Sequence, residues 1–377
     1  MYLLKILGVL LMLLLMNGKV VVAQNDNYNR QIKALEAGFN QRSIDSLSTM
    51  LSSELVFPPF PAAQSKGILR QVFSRFPKLN SLEILEVRDK YALLKYYFEG
   101  SRGTKSAVRF DDEGKITRIE LIEQVIEREI EQSKSVHQPN PGEMANKYPA
   151  QSVSFQSNDG LLVTGNLYEI DPNAPVILLC HQGGYNKFEY ADIAPKLNEL
   201  GFNCLAIDQR SGGAFAGQEN QTFLKATEEE RDTDFLQAEQ DINAAIKYLS
   251  ERYQQKVTIW GSSYSSILVL FQANEDEVEA VISFSPSDFF EDERPPLAQI
   301  ISNIDKPYFI TSSKRESTQL SEIMKLTTQG TNQIHYIPEV NGFHGSRSLW
   351  ESQTGAEEYW KALISFLTNI YPSIKQN

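Results

Sequence analysis

At 377 residues the chain is long enough for two domains, each with its own core. Its formal charge of −12 disfavours a nucleic-acid partner, which asks for a basic surface. The four histidines are scattered and no cluster has metal-ligand spacing, so neither a metal nor an organic cofactor is implied.

Residues 1–23 read as an export signal. Lys5 stands near the start, an apolar run covers Ile6–Met16, and Val21-Val22-Ala23 gives a small-residue cleavage site before Gln24. The alternative is a membrane anchor. Against it, the run is about half the ~20 residues that a span needs, and Lys19 interrupts any longer one. No cysteine near the cleavage site speaks for a lipid anchor. Loss of Lys5 and Lys19 with the signal takes the charge to −14. The expectation is an exported protein, periplasmic or secreted if bacterial, with no membrane span in the mature chain.

Residues 24–132 form the first expected domain. Ile32, Leu35 and Phe39, then Ile44, Leu47 and Leu51, recur at helical spacing and predict helix over residues 28–55. A second helix is expected at Lys66–Ser74. Strand-length runs follow at Leu82–Val87, Tyr91–Phe98, Lys105–Phe110 and Ile116–Ile122, with polar turns such as Asp111-Asp112-Glu113-Gly114 between them. Helices followed by adjacent strands predict an α+β domain with a curved antiparallel sheet. The stretch from Val108 to Ile119 resembles the final hairpin of NTF2-like (SnoaL-like) domains. That resemblance implies a cone-shaped sheet that holds a small ligand or pairs two copies as a homodimer. No acid–histidine pair stands out here, so an accessory role is favoured over chemistry.

Residues 133–149, with His137-Gln138-Pro139-Asn140-Pro141-Gly142, lack apolar periodicity and read as a linker. From residue 150 to 377 the pattern changes. Ser152–Gln156 and Leu161–Tyr168 flank Ser157-Asn158-Asp159-Gly160 as a hairpin. Strands then alternate with helices: Val176–Cys180, a helix at Ile193–Leu200, Phe202–Ile207, a helix at Phe235–Arg252, and Val257–Trp260. Strands at Val278–Phe284, Tyr308–Thr311 and Gln333–Pro338 and a helix at Leu349–Ile370 complete the chain. This predicts a mostly parallel α/β sheet with helices on both faces. Cys180 and Cys204 sit at opposite ends of neighbouring strand-like runs. They read as small buried hydrophobes rather than a bridge. The segment Gly212–Phe235 reads either as a small lid or as a disordered loop.

The most informative stretch is Val257-Thr258-Ile259-Trp260-Gly261-Ser262-Ser263-Tyr264-Ser265-Ser266. An apolar strand runs into a Gly-x-Ser-x-small turn and then a helix. Such an elbow holds a serine hydroxyl at the end of a central strand, with small residues flanking it because strand and helix pass close together. A serine hydroxyl needs a base, the base needs an orienting acid, and the developing oxyanion needs donors. The base candidate is His344, between Gly342 and Gly345; His335 lies mid-strand and His181 belongs to another motif. The favoured acid is Glu316, after the strand Tyr308–Thr311, with Asp288 as rival. Leu179-Cys180-His181-Gln182-Gly183-Gly184 offers one oxyanion donor from Gln182 or Gly183, and Tyr264 offers the other. Asp208 reads as structural and Arg210 as a loop brace.

These motifs resemble the α/β-hydrolase fold, in its dienelactone-hydrolase and esterase-like branch. The order Ser263, Glu316, His344 follows that fold's nucleophile–acid–histidine order. The departures are Ser265 for glycine, Gln182 within the His-Gly motif, and glutamate for the commoner aspartate. Dienelactone hydrolases proper use a cysteine nucleophile, whereas this chain has Ser263. The resemblance implies a serine hydrolase that acts on a small acyl substrate. A serine peptidase for short peptides and an inactive binding protein remain as alternatives.

Overall fold

A computed structural model describes residues 28–58, 60, 62–75, 78–98, 104–120, 139–140, 142–288, 290 and 293–374. The expected export signal, His137 and residues 133–138 of the expected linker lie outside the described residues. The chain divides into two compact units, Met1–Arg128 and Glu129–Asn377.

In the first unit, helix Asn29–Gln41 precedes strand β1 (Leu51–Val56) and helix Ala62–Arg75. Strands β2 (Leu79–Arg88), β3 (Tyr91–Phe98), β4 (Thr104–Phe110) and β5 (Ile116–Ile119) follow. The sheet order is β1-β5-β4-β3-β2. Along β3, Ala92, Leu94, Tyr96 and Phe98 are buried in alternation with half-buried neighbours. Phe39 meets Phe73, Tyr96 and Phe98 edge-on.

Two expectations for this unit are corrected. The helix ends at Gln41, where Arg42 turns left-handed at φ 56°, and residues 51–56 are strand instead. The reason is local. Ser43 accepts the N–H of Asp45, Ser46 caps the carbonyl of Ala34, and Ser48 bonds that of Asp45. These hydroxyls compete with the helical ladder, so Ile44 and Leu47 reach the core without a helix. The sheet is also not wholly antiparallel, because β1 runs parallel to β5.

The second unit holds an eight-stranded sheet. Its strands are β6 (Gln151–Gln156), β7 (Leu162–Tyr168), β8 (Val176–Cys180), β9 (Asn203–Ile207), β10 (Val257–Ser262), β11 (Val278–Phe284), β12 (Tyr308–Thr311) and β13 (Gln333–Tyr336). Their order is β13-β12-β11-β10-β8-β9-β7-β6. The β6–β7 hairpin joins antiparallel to β9, and all other neighbours are parallel. Every residue of β8, β9 and β10 is buried, which is why these strands are near-continuous apolar runs. Helices Ile193–Leu200 and Ala356–Ile370 close one core, where Leu197 and Leu363 join Ile177, Trp260 and Phe284. Helices Glu239–Tyr253 and Tyr264–Phe271 pack against β8, β10 and β11.

Register decides where the loops emerge. Gly261 lies opposite Cys180 on β8 and Ser283 on β11. Phe284 lies opposite Thr311, and Thr311 opposite Tyr336. The carboxyl ends of β8, β10, β11, β12 and β13 therefore reach one edge of the sheet, where open α/β sheets present their sites.

The final helix begins at Ala356, seven residues later than expected, because Gly355 adopts φ 90° after a non-helical turn. Of the two readings of segment 212–235, the disordered loop is corrected. It carries helix Gln221–Glu228, capped by the Asn220 side chain. Gln221 N–H donates to Asp208, and Thr222 accepts from Thr164. Phe215 is buried and stacks on Tyr185 with ring centroids 3.9 Å apart.

Cys180 and Cys204 are free and buried. Cys180 pairs with Ile207 and Cys204 with Ile177, so they stand three residues apart along neighbouring strands. That offset is ~10 Å, beyond the ~4.4–6.8 Å Cα separation of a bridge. Alkylation under denaturing, non-reducing conditions is expected to add two labels per chain. An intact mass two protons lighter, refractory to alkylation, contradicts this strand placement.

Candidate active site

Ser263 follows β10 at φ 58° and ψ −122°. Such a conformation costs a residue with a side chain on the order of 1–3 kcal/mol, and it persists only where the surroundings over-determine it. Here they do. The Ser263 N–H donates to the carbonyl of Phe284 at 2.9 Å, pinning the turn to β11. A Cβ at Gly261 would stand 2.1 Å from the carbonyl oxygen of Ser265, so only glycine lets the strand and the following helix cross. Ser265, where glycine is usual, has a use for its hydroxyl. It donates to the carbonyl of His181 and accepts from Gln209 Nε2 at 2.8 Å. The departure from the motif ties the elbow helix to the loop after β8.

His344 Nε2 lies 2.7 Å from Ser263 Oγ, and its Nδ1 lies 2.6 Å from Glu316 Oε1. A Nδ1–H that donates to the carboxylate leaves Nε2 to accept from the serine hydroxyl. Gly345, next to the histidine, adopts φ 69°, and a Cβ there would stand 2.4 Å from Ser262 Oγ. Glu316 is the third residue of helix Lys314–Met324 and forms a capping box with Ser313. Its Oε2 accepts from Ser285 Oγ at 2.7 Å, while Ser285 in turn accepts the Gly345 N–H at 3.0 Å. The rival Asp288 is spent elsewhere, because its Oδ1 accepts the N–H of Leu297 at the start of helix Leu297–Ser302. His335 lies within β13, half-buried.

The two choices offered for the loop donor separate. The Gln182 N–H donates to Glu189 Oε2 at 2.7 Å and is therefore taken, which corrects its assignment as an oxyanion donor. Gly183 N–H has no acceptor among the described residues. Tyr264 is the first residue of its helix, so its N–H has no intrahelical acceptor. His181 braces this loop. It donates from Nδ1 to the carbonyl of Gln182 and accepts the Gln209 N–H on Nε2. Burial pushes its pKa down to about 4, so it stays neutral. Asp208 accepts from Lys187 and Thr164, and Arg210 pairs with Asp159 and Asp241.

Sequence reasoning missed Glu189. It is fully buried between Phe188 and Tyr190 in a short turn of 3-10 helix. Its Oε1 accepts from Ser262 Oγ at 2.7 Å. Ser262 Oγ accepts the Ser346 N–H at 2.9 Å, so the chain of bonds continues into the histidine loop. Burial raises the Glu189 pKa to about 7, against the pull of Ser262, Gln182 and Arg347. The only signal for this residue in the sequence is an acid flanked by aromatics shortly after Gly183-Gly184.

The strand order, with a serine elbow after β10, an acid after β12 and a histidine after β13, defines an α/β-hydrolase. The dienelactone hydrolase family model matches residues 164–371, and the chain belongs to that family. A search of curated proteins returned no match. Among solved structures, the chain is similar to the esterase Pf2001 of Pyrococcus furiosus at 16% identity, with 60% of this chain and 94% of that chain covered and a TM-score of 0.44. It is similar to the α/β hydrolase GrgF of Penicillium sp. sh18 at 16% identity, covering 59% and 98%, with a TM-score of 0.45. It is also similar to an esterase of Pyrobaculum calidifontis at 13% identity, covering 66% and 92%, with a TM-score of 0.45.

The raised pKa of Glu189 makes a signed prediction. A carboxyl whose folded pKa exceeds its unfolded value contributes stability that is full below about pH 4.5 and is lost as pH rises through about 7. Glu189→Gln removes that titration. The unfolding free energy of the variant relative to wild type is expected to rise between pH 5 and pH 8, by roughly 3 kcal/mol at most, with Tm moving in the same direction. A gap that is flat with pH in thermal scans would refute it.

Proposed function

We propose that this hydrolase cleaves an ester or related small acyl bond through an acyl-serine intermediate. The reading rests above all on the unbroken chain from Ser263 Oγ through the His344 ring to Glu316, at 2.7 and 2.6 Å. His344 takes the proton of Ser263 as the oxygen attacks the acyl carbon. The carbonyl oxygen becomes an oxyanion that accepts from the N–H groups of Tyr264 and Gly183. Glu316 holds the ring and stabilises its protonated form. His344 then gives the proton to the leaving group, and water repeats the cycle on the acyl-serine. The nucleophile is the point of difference from dienelactone hydrolases proper, since a serine replaces the cysteine.

In the same reading the protein is exported, and residues 24–132 form an NTF2-like accessory domain that binds a small ligand or pairs two copies.

A fluorophosphonate probe with mass-spectrometric mapping tests the nucleophile. Labelling is expected on Ser263 and absent in Ser263→Ala. Label on Ser262, Ser265 or Ser266, or persisting in the variant, defeats the assignment. No label at all favours an inactive binding protein, and turnover of short peptides without ester turnover favours a peptidase.

The acid has its own test. Glu316→Gln is expected to lower kcat by about three to four orders of magnitude, as loss of a triad acid does. Asp288→Asn should stay within about threefold of wild type. If the Asp288 change alone abolishes turnover in a folded protein, Asp288 is the acid.

A further inference from the structure

We propose that Glu189 is a positioning residue for the oxyanion site, because its two carboxyl oxygens hold the Gln182 N–H and the Ser262 hydroxyl and leave the Gly183 N–H for substrate. This inference rests on the acyl-serine reading above.

Oxyanion donors work only if they are fixed before the charge develops, because a donor that must reorient costs part of what it contributes. The loop after β8 supplies such a donor from a Gly183-Gly184 stretch, which is intrinsically free to turn. Something must fix its peptide planes. Glu189 Oε2 takes the Gln182 N–H at 2.7 Å, and Oε1 takes the Ser262 hydroxyl at 2.7 Å. One side chain therefore spans the loop with the oxyanion donor and the residue before the nucleophile.

The anchor itself is held. The carbonyl of Glu189 accepts from Trp350 Nε1 at 2.8 Å. The hydroxyl of the adjacent Tyr190 donates to the carbonyl of Cys180, the last residue of β8. Ser262 Oγ accepts the N–H of Ser346, two residues beyond His344. Three loops that carry the donor, the nucleophile and the base thus converge on one buried carboxyl. A carboxyl buried this way is costly, and an apolar residue in its place would fill the space more cheaply. The arrangement makes sense where geometry matters more than stability.

The experiment compares Glu189→Leu, Glu189→Gln and wild type on a p-nitrophenyl ester, with kcat normalised to sites labelled by the fluorophosphonate. Loss of one oxyanion donor costs about 10²–10³-fold in kcat. Glu189→Leu is expected to lose at least about 30-fold in kcat with KM within about threefold. Glu189→Gln accepts from Gln182 and donates to Ser262, so it should recover at least about tenfold of that loss. A folded Glu189→Leu with kcat near wild type, or equal losses in both variants, overturns the proposal. A merely structural role lowers Tm and leaves kcat per labelled site unmoved.

If Glu189→Leu does not fold, Ser262→Ala removes one anchor and keeps the carboxyl. A drop of about tenfold in kcat with KM held supports the proposal, and an unchanged kcat overturns it. Wild type that neither labels at Ser263 nor turns over ester overturns the underlying reading as well. A labelled wild type with an unaffected Glu189→Leu overturns this inference alone.

Discussion

The second unit is organised around one close crossing. Strand β10 must end, reverse at a single residue, and become a helix that runs back beside it. The space between Gly261 and the carbonyl of Ser265 is too small for any side chain. Everything nearby conforms to that crossing. Ser263 accepts a strained backbone, and the elbow leans on β11 through the carbonyl of Phe284. The parallel register then brings the ends of β8, β12 and β13 to the same edge. The central strands β8, β9 and β10, paired on both sides and buried along their whole length, cannot slide by one residue without turning each side chain to the wrong face. The placement of the polar groups at its edge inherits that rigidity.

Those polar groups are buried or half-buried, and burial without partners would be expensive. The structure answers with chains of hydrogen bonds rather than isolated pairs. His181 links the loop after β8 to Gln209, and Gln209 links to Tyr264 and Ser265. Ser285 links Glu316 to Gly345. Trp260 and Tyr190 both meet Ser346. Satisfied networks of this kind specify one arrangement, because each member that moves strands another.

Much of this was legible in the sequence, and the parts that were not have physical reasons. Buried parallel strands announce themselves as apolar runs, so β8 to β12 were readable. The elbow was readable because its close approach limits residue choice at Gly261. Glu316 was readable only as a turn carboxylate, since the capping box that fixes it depends on Ser313 being an N-cap. Glu189 was not readable, because a buried acid looks like a surface acid until its partners are known. After Gln41, Ile44, Leu47 and Leu51 keep helical spacing while the serines between them break the helix. Gln182 and Gly183 could not be told apart from sequence, because the choice turns on which N–H a distant carboxyl takes.

The capping box has one consequence of its own. Glu316 serves two masters: Oε1 faces the His344 ring, while Oε2 also receives the Ser313 N–H that closes the helix end. Aspartate at this position would have to serve both with a side chain one methylene shorter. The glutamate is thus explained by reach as well as by charge. It also couples local helix order to imidazole orientation, so that fraying of the helix end is felt as a misaimed ring beside Ser263.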